Sequence, residues 1–152
     1  METAILLLGV ALFVAAAYGD VKTLRIPNTL VAAVAALGLF RLIVLGDLTV
    51  ALCTVGASGI VFIAVFLLVW RGLVGGGDAK LMTATALLVG YHDLFNFLVL
   101  MSICGALVSL AILLKPRPSE QLQPKARLAV PYGVAIAGGG IVTLLFQPPL
   151  LG

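Results

Sequence analysis

Six apolar runs, at about 3–19, 28–45, 48–70, 78–90, 94–114 and 128–146, take up most of the chain and leave only short polar breaks between them. Runs near 20 residues match the helix length needed to cross a hydrocarbon core about 30 Å thick. Their unbroken Ala, Val, Leu and Ile would also suit buried strands, but those are shorter, and a membrane barrel would alternate apolar and polar residues. Composition agrees. The chain is 62% hydrophobic and 10% charged, with mean hydropathy +1.25, where a soluble domain carries about 25% charged residues. A water-soluble globule of 152 residues could not bury that much apolar surface, and disorder needs the opposite composition. Cys53 and Cys104 each lie inside an apolar run, which excludes a disulfide scaffold. The expected fold is an all-α integral membrane protein, one polytopic domain over residues 1–152 with six transmembrane helices.

Orientation follows from the basic residues. Lys22 and Arg25 follow run one, Arg71 stands between runs three and four with Lys80 just beyond that break, and Lys115, Arg117, Lys125 and Arg127 lie between runs five and six. These breaks share one side, read as cytoplasmic, so both termini and the turns at Gly46-Asp47 and Tyr91-His92-Asp93 are expected outside. The remaining basic residue, Arg41, is read as snorkelling to the outer interface. Residues 115–127, rich in Pro, Gln and charge, form the one sizeable cytoplasmic loop. Met1-Glu2-Thr3 lacks a basic n-region, so run one is read as a retained helix and not a cleaved signal. Membrane topology accounts for the net charge of +3, and no nucleic-acid partner is expected.

Ionisable groups near membrane depth are functional candidates by default. Glu2, Asp47 and Asp93 fit solvated positions on the outer side, and Glu120 lies in the long loop. Asp20 and Asp78 stand at the inner ends of runs one and four, each beside a break containing glycine or proline. Run four is short, and irregular backbone reaching into the membrane is tolerated beside protein or a water-filled cavity. Physical reading alone leaves Asp78 open between an N-cap and a reacting group, and Asp20 between a helix-end residue and its partner. His92 is the sole histidine and lies on the outer side, which leaves no basis for a Ser-His-Asp triad.

Two stretches carry a resemblance. Asp20-Val21-Lys22-Thr23-Leu24-Arg25-Ile26-Pro27-Asn28 resembles the first signature of prepilin peptidases, and Gly75-Gly76-Gly77-Asp78-Ala79-Lys80-Leu81 resembles their Gly-x-Gly-Asp-x-Lys signature. Pro131-Tyr132-Gly133 resembles the Pro-aromatic-Gly found near the family's C-terminus. The chain is similar to the short form of tight-adherence (Tad/Flp) pilus systems and archaeal preflagellin peptidases. Longer members add a Cys-x-x-Cys segment that binds zinc; this sequence has no such pair, so no metal is expected.

The resemblance implies a multi-pass aspartic endopeptidase of the inner (plasma) membrane, with its active site at the cytoplasmic face. It would remove the short basic leader of type IV or Flp-type prepilins or pseudopilins, alongside membrane lipid and pilus assembly machinery. Asp20 and Asp78 would be catalytic, and opposed helix ends suggest Asp78 as base and Asp20 as acid. Gly75, Gly76 and Gly77 would admit the substrate backbone. Lys80 would stand near Asp78, and Ile26, Pro27 and Asn28 would end the loop and begin helix two with Pro27 near N1. Pro131, Tyr132 and Gly133 would close the site. No cofactor is expected, and S-adenosylmethionine enters only if N-methylation is retained. The alternative is a small transporter or secretion-complex subunit that uses the same acids for ion or proton handling.

Overall fold

The computed structural model describes residues 2–23, 25–114 and 132–147. They form six helices: α1 (Glu2–Thr23), α2 (Asn28–Leu45), α3 (Leu48–Trp70), α4 (Gly76–Val89), α5 (Leu94–Leu114) and α6 (Tyr132–Phe146). The long loop expected at 115–127 and the residue Pro131 lie outside the described residues. Four helices, α1, α2, α3 and α5, are long and apolar enough to cross a membrane. The described parts of α4 and α6 are shorter, at 14 and 15 residues.

Local chemistry sets the helix ends. Gly46 closes α2 in the left-handed conformation, φ 67°, and its N–H bonds the Leu42 carbonyl. Asp47 then caps α3, its Oδ1 accepting from the Thr49 and Val50 N–H groups at 2.8 and 3.1 Å. Pro27 occupies the N-cap of α2, one position before the expected N1, and its carbonyl receives the Leu30 and Val31 N–H groups.

The helices pack as two groups of three. α6 lies against α1 and α5, while α4 lies against α2 and α3. The groups meet along a seam between α4 and α6, with further contacts between α1 and α2 and between α4 and α5. Phe13, Leu81, Leu88, Val34 and Phe97 are fully buried around that seam. α4 is the inner helix, with Ala79, Leu81, Ala84, Thr85, Ala86, Leu88 and Val89 all buried. Its hydroxyls are satisfied within the helix, Thr83 donating to Ala79 O at 2.9 Å and Thr85 to Leu81 O at 2.8 Å. That is how a polar side chain is tolerated where no water is at hand. α5 by contrast touches α6 and little else, and most of its apolar surface faces outward.

Arg41 departs from the sequence expectation. It does not snorkel: it is 6% exposed and turned inward onto the end of α4. The last carbonyls of a helix lack intrahelical donors, and a guanidinium can satisfy two at once.

Candidate active site

The chain enters the site three times from one end of the bundle. α1 brings Asp20 in its last turn, the break before α2 brings Arg25 and Ile26, and α4 opens with Gly76-Gly77-Asp78 after Gly75 at the N-cap. Asp78 therefore sits inside the first turn of α4, and the helix begins two residues before the run read from sequence. The N-terminal end of a helix carries unpaired N–H groups and a partial positive charge, a place where a carboxylate is at home.

Asp20, Arg25, Ile26, Asn28, Gly75, Gly76, Gly77, Asp78 and Lys80 line one cleft of about 350 Å³. The two carboxylates, 58 positions apart in sequence, lie within electrostatic reach of each other. Asp20 is only 4% exposed, and its Oδ2 has no hydrogen-bond partner among the described residues. The backbone N–H groups of Gly133 and Val134, in the first turn of α6, approach the same carboxylate. Asp78 is half-buried.

Those amides alter one expectation. A division of roles by helix ends took Asp20 to face only the negative end of α1. The Gly133 and Val134 N–H groups also approach the carboxylate, an opposing influence that the helix-end division leaves out.

Glycines shape both acids. A methyl group on Gly133 would stand 2.8 Å from Cγ and Oδ2 of Asp20, and one on Gly75 would stand 2.8 Å from Oδ2 of Asp78. At Gly77 the neighbour is Ile26 at 3.6 Å, whereas a methyl on Gly76 would meet nothing within 4 Å. Lys80 lines the cleft, but its hydrogen bond runs to Asn28 Oδ1 at 3.2 Å, joining the second turn of α4 to the start of α2. Pro27 is exposed and outside the cleft lining, and its part is to start α2.

Tyr132 does not line this cleft. It stands, with Asp78, on a second cavity of about 380 Å³ lined by Val65, Leu68, Met82, Met101, Ala106 and neighbouring residues. Asp78 thus lies where a polar cleft meets an apolar groove. Sequence reasoning missed that groove, because its walls are ordinary apolar residues of four helices. It also missed Arg25 as a lining residue, which it placed in the first signature stretch and among the topology markers but not in the site.

The type IV leader peptidase family matches residues 6–110, which include both acids. The chain belongs to that family. It is 31% identical over 143 residues to the prepilin leader peptidase/N-methyltransferase of Bacillus subtilis (strain 168), an alignment covering 93% of this chain and 55% of the relative. The chain therefore spans about half the length of the curated relative it matches. No solved structure matches. Within the family match, the glycine-rich break and the loop after α1 are the segments that converge on the cleft.

Proposed function

We propose that this chain is a membrane-embedded aspartic endopeptidase that removes the short basic leader of type IV or Flp-type prepilins or pseudopilins. The observation that carries the reading is the convergence of Asp20 and Asp78, from different helices, on one cleft. One carboxylate takes a proton from water as its oxygen attacks the scissile carbonyl carbon, and the protonated partner donates a hydrogen bond to the carbonyl oxygen. Collapse of the resulting gem-diol breaks the C–N bond, and the departing amine receives a proton from the pair. Two close carboxylates hold a single proton more readily than none, which supplies both states at once and makes them titrate as a unit.

The junction at Asp78 suits a substrate that changes character at the cut. A polar leader would lie in the cleft and an apolar segment would continue into the groove beside Met82 and Ala106. In this reading six helices cross the plasma membrane, both termini lie outside, and the cleft opens at the cytoplasmic face, where the basic residues gather. The proposal covers hydrolysis alone, and methyl transfer stays with the relative whose name carries it.

The test is co-expression with a candidate Flp prepilin. Leader removal by the wild-type chain, lost in both Asp20→Ala and Asp78→Ala, is the expected result. Equal processing by all three would end the reading, and equal processing by wild type and Asp20→Asn would end the two-carboxylate mechanism.

A further inference from the structure

At the end of the bundle away from the cleft, four elements meet in a polar knot. Arg41 of α2 donates from Nη1 to the Leu88 and Val89 carbonyls at 2.7 and 2.8 Å. Its Nη2 donates to Gln147 Oε1 at 3.4 Å. Gln147, just past α6, donates in turn from Nε2 to Val89 O at 2.6 Å and to Asp93 Oδ2 at 3.0 Å, at the start of α5. Gly90 takes φ 89°, and a methyl there would stand 3.0 Å from Arg41 Nη1, so the backbone is shaped around the guanidinium. The buried cation meets the negative end of α4 and is linked through Gln147 to a carboxylate, the kind of partnership a charge needs in an apolar setting.

The knot crosses the seam between the two helix groups. Arg41 and the end of α4 belong to the group that carries Asp78, while Gln147 and Asp93 belong to the group containing α1 and Asp20. α4 is a rod of 14 residues, about 20 Å long, so a tilt of about 3° around its far end moves the first turn by about 1 Å. A misplacement of about 1 Å at reacting groups can cost on the order of 100-fold in rate.

We infer that Arg41 and Gln147 are positioning residues, clamping α4 to α6 at the end away from the cleft so that Asp78 is held in register with Asp20. The catalytic consequence rests on the leader-peptidase reading; the geometric one does not. The first test therefore needs no activity. In a background lacking Cys53 and Cys104, Asp20→Cys with Asp78→Cys is treated with a short bifunctional thiol reagent. Adding Gln147→Leu or Arg41→Met should slow cross-linking several-fold while the protein still elutes as a single folded species in detergent. Unchanged cross-linking overturns the clamp. Should Arg41→Met fail to fold, Gln147→Leu decides.

The second test restores both acids. Gln147→Leu should lower kcat about tenfold with KM unchanged, and Arg41→Lys, which keeps the charge but not the fork, should fall between wild type and Arg41→Met. Unchanged kcat per folded molecule also overturns the clamp. A wild-type chain that removes no leader sinks the leader-peptidase reading, and the cross-linking arm still decides this one.

Discussion

Gly133 of α6 lies against Asp20 of α1 so closely that a Cβ on it would stand 2.8 Å from the carboxylate carbon. The fit holds Asp20 against the first-turn amides of α6 and fixes where its carboxylate points. Gly133→Ala should therefore displace the acid, lowering kcat at least about tenfold and costing about 1–3 kcal/mol through overpacking. Gly19, the immediate neighbour of Asp20, is the control, because a methyl there meets nothing within 4 Å. Gly19→Ala should leave cleavage unchanged and raise stability by about 0.5–1 kcal/mol, as a helical glycine replaced by alanine does. Parallel cleavage assays and thermal melts in detergent read both.

Gly75 gives a cleaner separation of activity from stability. The atom its Cβ would meet is Asp78 Oδ2, the free end of a side chain that can rotate away at little cost to the fold. Gly75→Ala should keep the melting temperature and lose turnover. Gly76→Ala adds a methyl to open cleft and leaves Asp78 in place, so any loss there should fall on KM if substrate backbone passes over that position. A Gly75→Ala chain with full turnover would separate Asp78 orientation from catalysis.

How much of this was legible in the sequence depended on whether the signal was local. Helix ends at Gly46-Asp47 and the break at Gly75-Gly76-Gly77 were readable, because turn and cap chemistry is written in neighbouring residues. Asp20 and Asp78 stood out because acids are scarce and each adjoined a break. What the sequence withheld was pairing across space. Nothing local says that Lys80 reaches Asn28 or that Gly133 cradles Asp20. Arg41 was misread for the same reason, since an arginine near a helix end snorkels by default and turns inward only if a neighbouring helix stops short. α4 does stop short, at Val89.

The apolar groove beside Asp78 makes its own forecast. Ala106 on α5 lines it and is exposed to it. Ala106→Phe should fill part of its volume and raise KM for a full-length prepilin, while cleavage of a short peptide ending soon after the cut is spared. Steady-state kinetics on the two substrates check this, and equal effects on both would place the apolar segment elsewhere.

Two helical glycines separate rigid from adaptable packing. A Cβ on Gly38 of α2 would stand 2.9 Å from Leu88 N and 3.1 Å from Leu88 Cα, both backbone atoms of α4. Backbone cannot swing aside, so Gly38→Ala must push α2 and α4 apart, at about 1–3 kcal/mol. On Gly9 of α1 the nearest atom is Leu144 Cδ1, also at 2.9 Å, the tip of a flexible side chain. Repacking that leucine is cheap, and the gain of about 1 kcal/mol in helix propensity offsets it. Gly9→Ala should then melt close to wild type and Gly38→Ala well below it, although the two contacts are equally short. Because α2 also holds Lys80 through Asn28, Gly38→Ala should lose cleavage per folded molecule as well, and Gly9→Ala should not.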